Sequence, residues 1–145
     1  MGLSLPAAGL VYLDTPAIIY TVEKRPYYLE QLMPLWLAAR SGSITAGTSA
    51  LALLETLVMP IRNKDEALQA DYDHVLLHAD IRLLPITNAV LREAASLRAT
   101  IPALRTPDAL HAATALLSGC VLFVSNDNGF RRIPGLPLAL LDNAA

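Results

Sequence analysis

The chain has 145 residues, 54% hydrophobic and 17% charged, with a net charge of −2. That is the size of one domain with ample core material, so residues 1–145 are expected to form a single domain and disorder is excluded. A generally basic nucleic-acid binder is excluded too, although a local basic patch is not. The lone Cys120 closes no internal disulfide and reads as a small core hydrophobe. Residues Met1 to Pro6 carry no basic residue ahead of their apolar ones, and no apolar run reaches ~18 residues. Neither a secretory leader nor a membrane span is expected, and the cytoplasm is the expected setting.

In chain order, Leu10–Leu13 is a short apolar run suited to a buried strand. Thr15 and Pro16 follow as a predicted cap and first helical residue. A second helix is predicted from about Tyr27 to Arg40, bent or delayed by Pro34 and ended by Ser41-Gly42. Ser43–Ala46 is a weak strand. Thr48-Ser49 is expected to cap an apolar helix from Ala50 to Met59, with Pro60 helping to stop it. After the polar run that opens at Asn63, the spacing of Leu68, Tyr72, Val75 and Leu76 predicts a fourth helix. Ile81–Ile86 is a strand whose Pro85 marks an end or a sheet edge. Thr87 caps a helix from Asn88 to about Arg98, and Ile101–Arg105 is a loop. Thr106-Pro107 repeats the earlier start signal for a helix running to Leu117 and ended by Ser118-Gly119. Cys120–Val124 and Leu138–Leu141 are the last strands. Apolar strands alternating with helices predict an α/β fold, a short, mostly parallel sheet covered on both faces in three layers.

Four acids stand where an acid is awkward. Asp14 and Asp127 each follow a buried strand, the place where open α/β sheets bind ligands. Asp108 lies in a first helical turn. Glu55 is the only charged residue between Arg40 and Arg62. Each has an ordinary reading: a helix-start charge for Asp14 and Asp108, a polar turn for Asp127, an edge carboxylate for Glu55. Taken together they specify compatible places, and an uncompensated buried carboxylate costs several kcal/mol, about what a shared cation would relieve. Oxygen ligands suit Mg²⁺ or Mn²⁺ rather than zinc, and that chemistry points to phosphodiester cleavage. His74 and His78, four apart, lack a cysteine partner and read as a helix face, with His111 far off in sequence. Ser125 and Asn126 add oxygen groups beside Asp127. Arg131 and Arg132 lie just beyond, either meeting a phosphodiester backbone or standing as solvated turn arginines, and Arg105 is a third candidate. The stretch Tyr27–Leu37 holds more apolar residues than one helix face needs, so it is either core or an interface.

The blocks Val11–Thr15, Thr48–Glu55, Arg105–Ala113 and Phe123–Arg132, in that order, resemble the PIN domain, and most of all the VapC-type toxin ribonucleases of bacterial toxin–antitoxin pairs. The ending Ile133–Leu136, a strand and Asp142 fits the same pattern. The resemblance implies a three-layer α/β/α domain and a Mg²⁺- or Mn²⁺-dependent endoribonuclease whose metal-binding acids are Asp14, Glu55, Asp108 and Asp127. Ser125 takes the place of its small hydroxyl residue before Asn-Asp. It also implies a homodimer and a cognate antitoxin. Pro16 departs from the Asn or Ser many members carry there, and the segment Asn63–Arg98 matches only in being helical. Two other readings stand beside it. One is a catalytically inactive PIN-like module that binds RNA or protein. The other, a haloacid dehalogenase-type phosphatase, needs a second Asp where Pro16 stands and is set aside.

Overall fold

The computed structural model describes residues 3–78 and 80–143. The leader reading begins at Met1 and Gly2, outside those residues. Among the described residues, strands β1 (Leu10–Leu13), β2 (Thr45–Ser49), β3 (Ile81–Leu84), β4 (Leu122–Ser125) and β5 (Leu138–Leu140) form one sheet in the order β3-β2-β1-β4-β5. All four pairings are parallel. Every strand connection must therefore cross over, and helices supply the crossings. Helices α1 (Thr15–Val22), α2 (Pro26–Ser41), α3 (Leu51–Arg62) and α4 (Glu66–Asp73) carry the chain from β1 to β3. Helices α5 (Asn88–Thr100) and α6 (Thr106–Leu117) return it to β4. No described helix is long and apolar enough to cross a membrane.

Alternation along the strands sorts the core into two layers. Val11, Leu13, Ala46, Ile81 and Val124 face the α1–α4 side with Ile18, Leu32 and Leu35. Tyr12, Leu84 and Phe123 face the α5–α6 side with Val90, Ala94, Leu97 and Ala112. Period two then puts Asp14 on the Tyr12 face and Ser125 on the Phe123 face. Strand order reverses between β1 and β4, where the chain leaves in opposite directions from neighbouring strands. Such a switch point opens a crevice beyond the carboxyl ends of the two strands. Cys120 is half-buried against the α6 layer, and burial pushes its thiol up to about 11, so it stays an unreactive thiol.

Several boundaries differ from the sequence reading, each for a physical reason. Asp14, not Thr15, caps α1: its carboxylate accepts from the Thr15 amide at 3.0 Å, and Thr15 and Pro16 are the first two helical residues. Helix α6 likewise starts at Thr106 after Arg105 and has no side-chain cap. Thr48 and Ser49 belong to β2 because they pair with Leu83 and Leu84, though Ser49 Oγ still accepts from the Leu51 amide. Pro60 lies buried inside α3, which continues to Arg62, so the missing amide costs one hydrogen bond without ending the helix. Pro34 is likewise inside α2. Helix α4 is followed by a π-helical turn, His74–His78, that carries both histidines. Pro85 directly follows β3, an edge strand as the sequence suggested.

Gly42 ends α2 in the left-handed region with φ of 84°, and its amide bonds back to the helix. An added Cβ would meet no atom within 4 Å. The cost of Gly42→Ala is therefore conformational alone, about 1–2 kcal/mol, and should appear as a lower urea midpoint with an unchanged m value.

Candidate active site

At the switch-point crevice Ser125 links Asp14 to Asp127. The Asp14 amide donates to the Val124 carbonyl at 2.9 Å, which continues the β1–β4 ladder one step past the strand. That register brings Ser125 Oγ to Asp14 Oδ2 at 2.8 Å. Ser125 Oγ also accepts from the Asp127 amide at 3.1 Å, so one hydroxyl ties the Asp14 side chain to the Asp127 backbone. Asp127 Oδ1 caps the following turn by accepting from the Gly129 amide at 2.8 Å. Asp108, in the first turn of α6, pairs at 3.5 Å with the exposed Arg105.

Electrostatics show that these carboxylates share a field. Asp14 is only 5% exposed, and burial raises its pKa above the ordinary range. His111, Ser125 and the Thr15 amide oppose the rise, and the Asp108 charge adds to it. Burial also raises Asp108; Arg105 opposes it and the charge of Asp127 reinforces it. Like charges therefore run in series from Asp14 through Asp108 to Asp127.

Glu55 reaches the crevice from α3, but its environment has the opposite effect. Burial pushes its pKa up, yet the hydrogen bond and charge of His111 and the Thr15 hydroxyl outweigh that and hold it below the ordinary range. His111 Nε2 lies 2.6 Å from Glu55 Oε1, and Thr15 Oγ1 donates to the same oxygen at 2.8 Å. His111 Nε2 is also 3.8 Å from Asp14 Oδ1. This histidine is 1% exposed and was set aside in the sequence because it is distant along the chain. The signal that would have found it is helical spacing: three residues after Asp108 is the same face, one turn deeper.

The remaining candidates divide. Asn126 is occupied structurally: its amide donates to the hydroxyls of Tyr20 and Tyr28, and its oxygen accepts from the Asp142 amide at 3.1 Å. Tyr28 in turn donates to Asp142 at 2.7 Å. Arg131 and Arg132 are exposed in the turn after Asp127. Among the described residues no three His, Cys, Asp or Glu groups stand together as a ready metal cage. Each acid is turned toward a protein partner instead: Ser125, His111, Arg105 or the Gly129 amide.

Asp14 carries the consequence for stability. Its folded-state pKa lies above its unfolded value, so the fold binds that proton more tightly than the unfolded chain does. Stability is therefore lost as pH rises through that interval, and the loss is complete above it. In chelator, Asp14→Asn should melt higher than the parent chain at neutral pH, and the margin should shrink in acid. Paired melting curves between about pH 3 and pH 8 read this directly.

Comparison with known proteins agrees with the fold. The PIN domain family profile matches residues 11–136. No curated protein sequence matches. Among solved structures, the chain is similar to one in VapBC2 from Rickettsia felis bound to a promoter DNA fragment, with a TM-score of 0.74 and 23% identity over 90% of this chain and 98% of that one. It is similar to a chain of a toxin–antitoxin complex from Klebsiella pneumoniae, with a TM-score of 0.69 and 19% identity over 90% and 97% of the two chains. VapBC-5 from Mycobacterium tuberculosis, a member of the VapBC family of toxin–antitoxin systems, gives 0.57 and 22% over 93% and 98%. With a five-stranded parallel sheet between helical layers and a family match across most of its length, the chain belongs to the PIN domain family.

Proposed function

We propose that this chain is a metal-dependent endoribonuclease, the toxin of a toxin–antitoxin pair. The observation that carries the reading is the series of mutually repelling carboxylates, Asp14, Asp108 and Asp127, at one switch-point crevice with Glu55 beside it. Repulsion of this kind is tolerated where a cation relieves it, and PIN domains are generally nucleases.

The donor set fits a hard ion. It offers carboxylate and hydroxyl oxygens, as Mg²⁺ and Mn²⁺ prefer, and no thiolate. Mg²⁺ keeps several waters and needs only one or two carboxylates, so a site of this kind does not require a preformed cage of three. Asp14, Asp108 and Asp127 would hold the ion, directly or through water, with Glu55 completing the site. Once bound, it would lower the pKa of a water and neutralise charge on the reacting phosphate.

The chain's own groups divide the rest. Glu55, held below the ordinary carboxylate range, is a poor proton acceptor at neutral pH, so orienting the attacking water suits it better than deprotonating that water. Ser125 fixes the Asp14 carboxylate. Asn126 braces the strand end, and its ties to two tyrosines and Asp142 make that its role here rather than phosphate contact. Arg131 and Arg132 supply exposed charge for RNA phosphates.

Two exposed apolar faces support protein partners. Helix α3 leaves Leu54, Val58, Met59 and Ile61 exposed, and α2 leaves Tyr27, Met33 and Leu37. Core and interface both claim the α2 stretch, since Leu32 and Leu35 are fully buried. A second copy of the chain and an antitoxin segment would cover such surfaces, and the fold neighbours include toxin–antitoxin complexes, some of them on DNA. The competing reading, a silent binding module, draws on the protein partners that each carboxylate already has.

Cleavage of total RNA with Mg²⁺, Mn²⁺ or chelator decides between them. The native chain should cut with metal and not with chelator, and Asp14→Asn should lose roughly 100-fold or more. Retained cleavage by a folded Asp14→Asn chain ends the metal role of that residue. Replacing Arg131 and Arg132 by alanine should weaken RNA binding evenly across sequences and flatten the dependence of log affinity on log salt by about 0.7 per arginine. Filter binding at several salt concentrations measures that slope.

A further inference from the structure

We infer that His111 is a positioning residue: Tyr12 fixes its ring at Nδ1, and the Nε2–H on the opposite side holds the Glu55 carboxylate at the crevice. The inference deepens the nuclease reading and rests on it for its catalytic consequence. Hydrogen-bond accounting carries the argument. The Ser49 amide donates to the Tyr12 hydroxyl oxygen at 3.0 Å. The same hydroxyl lies 2.6 Å from His111 Nδ1 and fixes that side of the ring. An ionised carboxylate only accepts, so the ring nitrogen that faces Glu55, Nε2, carries a proton. That N–H meets Glu55 Oε1 at 2.6 Å, and Thr15 Oγ1 donates to the same oxygen.

The result is a chain of hydrogen bonds from β2 through β1 and α6 to α3. Two donors converge on Oε1, while Oε2 takes no hydrogen bond from the described residues. The carboxylate is thus gripped by one oxygen and presents the other. Tyr12 is well suited to anchor the chain: it is fully buried and stacks on Phe123 with ring centres 5.0 Å apart. Groups that orient the residues of an active site in this way are worth roughly 10–100-fold in activity.

Long-range ¹H–¹⁵N correlation spectra of the metal-free native chain read the tautomer without any assay. A ring proton on Nε2 is the expected result; a ring protonated on Nδ1 alone overturns the inference. Tyr12→Phe keeps the stacked ring and removes the hydroxyl that holds Nδ1. It should shift the Nδ1 resonance and lower kcat roughly tenfold with KM unchanged, whereas an unchanged kcat in the folded variant refutes the positioning role. Should Tyr12→Phe not fold, His111→Gln and His111→Phe decide: the amide can still donate to Glu55 and should retain more kcat, and equal loss in the two argues against positioning. If the native chain cuts no RNA with either ion, the nuclease reading fails while the spectra still settle the direction of the hydrogen bonds.

Discussion

The structure depends on the parallel pairing of β1 with β4, and at its open end on the bond from Ser125 to Asp14. Parallel register sets Tyr12 beside Phe123 and leaves Asp14 one step further, where the ladder's last amide bond is spent on Val124. The grouping of Asp14, Ser125 and Asp127 at the crevice refers back to that step. Asp14 caps α1, so the same carboxylate starts the first helix and closes the site. Shifting the register by one residue would turn Asp14 toward the α1–α4 layer and Leu13 toward α6. The two buried layers are each filled by their own set of side chains and cannot exchange such residues, and so they fix the crevice as firmly as they fix the fold.

The crevice holds unlike environments within a few ångströms. Asp14 and Asp108 are raised by burial and by their neighbours, while Glu55 is lowered by an imidazole and a hydroxyl against the same burial. Groups with divergent pKa values at one cleft mark functional sites more often than structural ones. The fold carries the raised acids as a cost, since ionising Asp14 in a nearly closed position opposes folding at neutral pH. Hydrogen bonds from Ser125 and the Thr15 amide offset part of it.

Much of this was legible in the residues, and the parts that were not share a cause. The strands at Leu10 and Leu122, the capping threonine at Thr87 and the glycine stop at Gly42 are local signals, and each falls within a few residues of its sequence-based place. Four acids could be singled out because charge inside apolar runs is itself a local signal. Thr48 and Ser49 look like a helix cap and are strand residues, because β3 offers them partners that no window of sequence displays. His111 was passed over for the same reason. Its bonds to Tyr12, Thr15 and Glu55 join residues far apart in the chain, and in sequence an isolated histidine among alanines carries no mark of them. The tyrosines of α1 and α2 that accept from the Asn126 amide are likewise invisible in the sequence around it.

The margins of the sheet have a consequence of their own. Proline stands at both: Pro85 directly after β3, and Pro137 directly before the three residues of β5. Proline offers no amide to a ladder, and a three-residue border strand gives an incoming chain little to pair with. For a polypeptide more than half hydrophobic, this limits runaway strand addition between molecules. It leaves association to the side chains of the helices, where contacts are reversible and self-limiting, rather than to an open-ended backbone template.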